Sequence, residues 1–552
     1  MEQQHAIGKF SLEVQLPSRQ DAFSLQSRLS NRCTTDLTPL LAELLDSWTA
    51  PGELLQIDKL EIDLGSCNLE TLERELPQLI ISFLRKRFPA MREQTYLEEG
   101  MSRITLGQGY FDSWLYFLEH GILPHTAVRW TRQEWEAGVL ETLSAESNAY
   151  QQCFLLLSDN PAAVQRLVLQ FSAEFVQNWL LAYSGSAYQG LLELVLEWEM
   201  FCYHPQLSSS KNKLAALIPV LPARADFHLT VIHFLIKDVV LPARKIESSV
   251  LLKELMALQV LPVKYWLYML QQLPVAVKNT LPLLQTAALK LSESYTEDLA
   301  SIDKELAAKA AQIAINTSTS AASASEVLQK STSSTELSKS VESSAADNPV
   351  AADNPVVSHS DNSVTSPPQV SDLVIAEKRE NVIDNIPEGT TLYINNAGLI
   401  ILHPYLGILF DALQLRDKEG FKDLHKAIQL LGYLASGEDD IPEYDLVLPK
   451  LLCGILLSQP VKRFVPLTEA EKKEADELLL SVIAHWNALG STTPDGLRGN
   501  FLMREGKLQW KEEEWQLYVT QQPYDMLLNR LPWGFSVVGF SWMPWLIKTV
   551  WT

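Results

Sequence analysis

From Thr296 to Leu392 the chain contains no Phe, Trp or Tyr, although aromatic residues make up 9% of its 552 residues. A packed core without aromatics over so long a stretch is physically unfavourable, because these side chains carry the largest burial areas. The tract therefore divides the chain into two folding regions. Residues 298–315 still carry helix-forming Ala, Lys and Glu, whereas 316–372 is dominated by Ser, Thr and Ala and repeats AADNPV in tandem at 345–356. Such a composition predicts a disordered linker over 316–390. Loop entropy grows slowly with length, so a duplicated hexapeptide changes reach without disturbing a fold.

Before the tract, residues 5–20 alternate Ile7, Phe10, Leu12, Val14 and Leu16 and predict a strand closed by Pro17. A helix follows to Trp48, with Pro39 as its break. Leu60, Ile62 and Leu64 then alternate with Glu61 and Asp63, predicting a second strand, and Leu72, Leu76, Ile80 and Leu84 mark a second helix. Residues 1–90 thus read as a small β-α-β-α layer. Residues 91–315 read as a helical array. Within it, VLPAR at 220–224 and 240–244, VLPVK at 260–264 and TLPLL at 280–284 recur at a step of twenty. Proline suits the first helical turn and costs about 3 kcal/mol inside a helix, so each Leu-Pro is expected to open one. Short helices of this kind must bury their apolar faces on one another, which predicts a solenoid-like stack.

After the tract, residues 391–552 read as an α+β domain. Helices are expected over 403–415, 422–436, 445–457 and 468–488, the last opened by a capping box between Thr468 and Glu471. Beyond Gly506 the period changes to two and predicts a hairpin around the charged turn KEEE. Seven of the 14 tryptophans fall in this region; Trp533, Trp542, Trp545 and Trp551 either complete a core or serve as anchors for a partner. The fold class is therefore mainly α with α+β terminal modules.

Chemistry is hard to find. The net charge of −22 opposes nucleic-acid and membrane-surface binding. Five scattered cysteines without CxxC spacing fit a reducing compartment, and neither a secretory leader nor a membrane span is encoded. Asn-Asn-Ala-Gly at 395–398 superficially resembles a dehydrogenase motif, but the glycine-rich phosphate turn and the Tyr-x-x-x-Lys pair are missing. GxxxxGK[ST], HExxH, GxSxG and EF-hand patterns are missing too. His228 and His233 lie five apart, on different helix faces, and His403 reads as a turn residue. Glu438, Asp439, Asp440, Glu443 and Asp445 read as a solvated loop. Lys450, among Leu448, Leu451 and Leu452, reads as an ion-paired or snorkelling lysine. No catalytic, cofactor-binding or metal site is assigned.

The two ends together resemble the tape measure protein family of phage-tail-like contractile injection systems. The phrases that carry the resemblance are SLEVQLPSRQDAFSLQSRLS and APGELLQIDKLEIDLG near the start, then YINNAGLIILHPYL, GYLASGEDDIPEYDLVLPKLLCG, TPDGLRGNFLMREGKL and LLNRLPWGFSVV. The resemblance implies a non-enzymatic structural protein, bound to tube and baseplate subunits, that sets inner tube length. It implies no cofactor, no nucleic acid and no membrane insertion, with assembly in the bacterial cytoplasm and the released particle as a second location. It carries signature positions rather than catalytic ones: Asn395, Asn396, Gly398, His403, Pro404, Gly454, Pro494, Asp495, Gly496, Leu497, Arg498, Arg530, Pro532, Trp533 and Gly534. Asp495-Gly496 reads as a turn, and Arg498 and Arg530 as candidate pairing groups. The alternative is a transient assembly adaptor or chaperone that is absent from the mature particle.

Overall fold

A computed structural model describes residues 5, 7, 10, 12–15, 22–50, 52–66, 68–88, 100–124, 130–146, 148–184, 188–205, 221–259, 261–302, 388–418 and 420–551. The linker expected over 316–390 lies outside these residues as far as 387, as does the helix-forming stretch 298–315 beyond residue 302. The chain forms two compact units. One comprises Met1–Gln189, Leu229–Arg244 and Arg379–Thr552, and the other comprises Gly190–His228 and Lys245–Lys378.

In the first unit, α1 (Ala22–Arg32) passes through a widened turn at Cys33–Leu37 into α2 (Thr38–Asp46), which carries Pro39 in its first turn. The expected break is there, and proline sits where its missing N–H costs least. Strand β1 (Glu53–Ile57) pairs antiparallel with β2 (Met101–Thr105), and α3 (Leu69–Arg87) lies between them in sequence. The alternation at Leu60, Ile62 and Leu64 does not form the expected strand: those residues join no ladder and pack against the core of Leu25, Leu44, Trp48, Leu76 and Leu84. The described residues among 5–20 are not in a strand either, although Leu12 and Val14 touch the same core. Apolar alternation reports a buried face, and here that face lies on helices instead of a neighbouring strand.

Helices α4 (Leu106–His120), α5 (Arg132–Ala145), α6 (Ala149–Asp159), α7 (Pro161–Gln170) and α8 (Ala173–Ser184) follow. Thr105, Thr131 and Asn160 cap α4, α5 and α7. Their common core is aromatic, with Phe117, Trp135 and Phe171 at 5.7–6.0 Å and Trp114 on Phe175 at 6.0 Å.

The second unit contains α9 (Gln189–Cys202), the start of α10 (Arg224–Phe234), α11 (Ser248–Ala257), α12 (Val263–Gln272), α13 (Val275–Lys278) and α14 (Pro282–Ser292). Pro222, Pro262 and Pro282 precede or open helices as the repeat predicts. Pro242 does not. It follows the widened helical turn Leu235–Val240 and lies two residues past its end, next to Ala243 in the left-handed region, so this copy ends a helix. Helix α11 packs on α14 as well as on α12, and Trp198 meets Trp266 edge-on at 5.1 Å. Glu197 accepts the backbone N–H of Leu284 at 2.7 Å in the first turn of α14, where a carboxylate opposes the helix dipole.

The C-terminal part of the first unit is a five-stranded sheet in the order β3-β4-β5-β7-β6, with β3 (Thr391–Ile394), β4 (Gly506–Lys511), β5 (Glu514–Val519), β6 (Val537–Val538) and β7 (Ile547–Trp551). Only β5 and β7 run parallel. The expected hairpin is β4–β5, and both turn residues, Glu512 and Glu513, have positive φ, as a two-residue turn of matching twist demands. Helices α15 (His403–Ala412), α16 (Leu424–Ser436), α17 (Val447–Leu452) and α18 (Glu469–His485) stand where the periodicity placed them. The Thr468–Glu471 capping box is formed.

Candidate functional site

Two groups of residues in this unit combine unusual chemistry with tight geometry. The first surrounds the signature positions of the C-terminal domain. Asn396 is buried and donates from Nδ2 to the Asp445 carbonyl at 2.8 Å, while its Oδ1 is enclosed without a donor. Gly398 lies in the tight helical turn Ala397–Leu402, where a Cβ would sit 1.6 Å from the Phe501 carbonyl oxygen. Gly454 has a φ of +74°, and a Cβ there would stand 2.5 Å from the Trp542 carbonyl. These two glycines let backbone meet backbone.

Pro494, Asp495, Gly496 and Leu497 form a short helix, α19 (Pro494–Leu497), capped by Thr493, which accepts the Gly496 N–H at 3.1 Å. The expected Asp-Gly turn is therefore a first helical turn; proline at N1 and a threonine cap override the turn preference. Arg498 faces inward. Its guanidinium donates to Asp476 at 2.6 Å and Asp495 at 3.0 Å and lies over the Tyr433 ring. A second arginine, Arg504, grips Asp525 with two bonds at 2.7 and 2.8 Å, and Trp551 donates to the same carboxylate at 2.8 Å. Although burial opposes its charge, these donors hold the Asp525 carboxyl below its usual range.

The tryptophans complete the fold. Trp533, Trp542, Trp545 and Trp551 donate their indole N–H to Ile401, Leu452, Leu451 and Asp525 respectively. His403 donates from Nδ1 to the Ile400 carbonyl at 3.2 Å, and burial lowers its pKa, which keeps the ring neutral inside its turn.

Another part of the set faces outward. Arg530, Pro532 and Gly534 are exposed, and among the described residues the Arg530 side chain meets no ion-pair or hydrogen-bond partner. Nothing lies within 4 Å of a Cβ built on Gly534. Beside them Trp533 meets Tyr405 edge-on at 5.3 Å, and the Tyr405 hydroxyl lies 2.7 Å from His485 Nδ1. Pro404 is exposed on the first turn of α15, and Ile408, one turn on, is 69% exposed. Asn395 is half-buried.

The second group was not legible as a group in the sequence. Arg166, Glu443 and Lys450 are 0%, 0% and 1% exposed. Arg166 donates from Nε to Glu443 Oε1 at 3.2 Å, and Lys450 donates to the same oxygen at 2.8 Å. The remaining donors of Arg166 go to the carbonyls of Leu118, Glu119, Leu457 and Ser458. Gln170 bridges the Glu443 N–H and the Val461 carbonyl. Glu443 thus departs from the solvated-loop expectation: the loop turns this one carboxylate inward, while Asp440 pairs with Arg463 and Asp439 with Lys472. Lys450 is ion-paired as expected and does not snorkel. A lone arginine among Val164, Leu167 and Val168 was the signal that its partner lay elsewhere in the chain.

Two cations share one carboxylate, and burial pulls the Lys450 ammonium down from 10.5 to about 8 despite Glu443. Unfolded lysine stays protonated to about 10.5, so between pH 8 and 10.5 the unfolded chain binds the extra proton and stability rises with pH. The full rise is about 3 kcal/mol. Lys450→Met should remove it, leaving the variant more stable than the parent near pH 7 and converging with it near pH 10.5, as read from urea melts across that range.

Among the described residues no three His, Cys, Asp or Glu side chains gather as a metal site, and no helix is long and apolar enough to cross a membrane. The geometry is one of interlocked turns and surface anchors. No curated protein and no solved structure matches the chain. A family model described as contractile injection system tape measure protein matches residues 4–551. With nearly every residue inside that match, the chain belongs to the contractile injection system tape measure protein family.

Proposed function

We propose that this chain sets the inner tube length of a contractile injection system and docks to tube or baseplate subunits through the outward face of its C-terminal domain. Its work is structural: no bond is made or broken and no cofactor is held. Assembly takes place in the bacterial cytoplasm, and the chain stays with the particle. The observation that supports docking best is the exposed Arg530, unpaired among the described residues, close in sequence to the exposed Pro532 and the open Gly534, with Trp533 between them against Tyr405 and with Ile408 exposed one turn on from Tyr405. Aromatic and arginine side chains with little conformational entropy left to lose are the usual anchors of an interface. Arg530→Glu should leave the melting curve unchanged and reduce recovery of the chain with tube and baseplate subunits by about tenfold or more. Unchanged recovery would reject the face.

The ruler role rests on family membership and on the aromatic-free tract, the cheapest part of the chain to extend. A continuous helix of all 552 residues would span about 830 Å, but the Leu-Pro breaks forbid one rod. Deleting 316–390 in frame should shorten tubes measured by microscopy; unchanged length would reject the role for that segment.

One observation favours the alternative, a transient adaptor. The helices before residue 189 and the domain after residue 379 belong to a single compact unit, which suits a protein that works closed. Mass spectrometry of purified mature particles separates the two, since an adaptor leaves before maturation.

A further inference from the structure

Within the first unit, the part before residue 189 and the part after residue 379 meet in a seam where α7 lies against the segment 443–463. That seam includes the Arg166–Glu443–Lys450 group, the two bonds of Gln170, a backbone bond from Arg463 N to the Leu169 carbonyl at 3.3 Å, and Tyr444 against Phe117 and Trp135 at 5.6 and 6.1 Å, flanked by Arg132 near Asp440. Its partners Arg166 and Glu443 stand 277 positions apart in sequence. We propose that the seam is a clasp that keeps the chain closed before assembly and opens first when the chain is drawn out along the tube; this rests on the ruler reading above.

The chemistry suits a clasp. An apolar seam of this size would lose its burial on opening and gain nothing back. Here opening releases three ions and a set of carbonyls into water, and their hydration offsets most of the lost pairing. Closed, the same groups fix one arrangement, because any slip leaves a buried charge without its counter-ion. The seam is therefore specific in register yet inexpensive to open. Each flank keeps its own core: Trp114, Phe171 and Phe175 on one side, and Ile400, Leu431, Leu448 and Val482 on the other. Opening need not melt either.

Hydrogen exchange on the full chain tests this. In the parent, amides of 161–170 and 457–463 should exchange together and sooner than those of α18. Glu443→Gln should raise their exchange about tenfold or more while α18 stays protected. Gln170→Ala, which removes two bonds and strands no charge, should do the same more weakly, and it carries the test if Glu443→Gln fails to fold. With handles at the two ends in an optical trap, the first rupture should come at lower force in Gln170→Ala, with unchanged gain in length. If α18 exchanges in step with α7, or the first rupture is insensitive to Gln170, the clasp is overturned. Tubes that ignore deletion of 316–390 would instead reject the ruler reading and leave the seam's exchange behaviour standing.

Discussion

Glu443→Gln is expected to destabilise the first unit by about 3–5 kcal/mol, the range for removing one partner of a buried ion group. The substitution keeps shape and volume, so cavity formation does not contribute. What changes is charge. Arg166 and Lys450, both buried, lose their only shared anion and face each other across a medium that screens poorly. Lys450 then gives up its proton more readily still, which limits the damage, whereas the Arg166 guanidinium is left buried without its carboxylate partner. Lys450→Met removes the excess cation and leaves a matched Arg166–Glu443 pair. The two variants should therefore move in opposite directions near pH 7, although each deletes one charge from the same group. Chemical melts followed through Trp135, which meets Tyr444 edge-on, read the seam itself. Equal losses in both variants would mean that packing, and not charge balance, governs the site.

Much of the architecture was legible because it follows from local chemistry. The capping box at Thr468 and Glu471, Pro39 and Pro282 in first turns, and the change of period at Gly506 all act within a few residues of themselves. What escaped the sequence is non-local. The alternation of Leu60, Ile62 and Leu64 reports a buried face without saying that helices cover it, so the strand fell one segment earlier, at Glu53–Ile57. The repeat misplaced Pro242, because a proline that can open a helix can equally follow one. The signature positions were visible as types, but their division into inward and outward groups depends on which surface each element presents: Arg498 and Arg530 look alike in sequence, yet one is locked by two carboxylates and the other is exposed and meets none among the described residues. Glu443 was indistinguishable from its acidic neighbours until Arg166 arrived from 277 positions away.

Two glycines of the signature set make a matched pair. At Gly398 an added methyl would have to occupy space 1.6 Å from the Phe501 oxygen, 2.6 Å from its carbonyl carbon and 2.9 Å from Leu502 Cα. All three are backbone atoms, so no side chain can rotate away. The turn Ala397–Leu402 must instead lift from Arg498–Leu502, a segment wedged between Trp486, whose ring is 4.8 Å from that of Phe501, and the core around Leu399–Leu402. Overpacking of a side chain costs about 1–3 kcal/mol, and a collision with fixed backbone exceeds that, so Gly398→Ala should cost about 4 kcal/mol or prevent the domain from folding. Gly534 has no atom within 4 Å of the same methyl, and its φ lies outside the left-handed region. Gly534→Ala should therefore change stability by less than about 0.5 kcal/mol, the ordinary range for a surface site. Circular dichroism melts of the two variants read the difference directly. If both are neutral, the contact between residues 398 and 501 has slack that the backbone distances deny; if both are costly, Gly534 is held by the fold, and its place on a docking face loses its support.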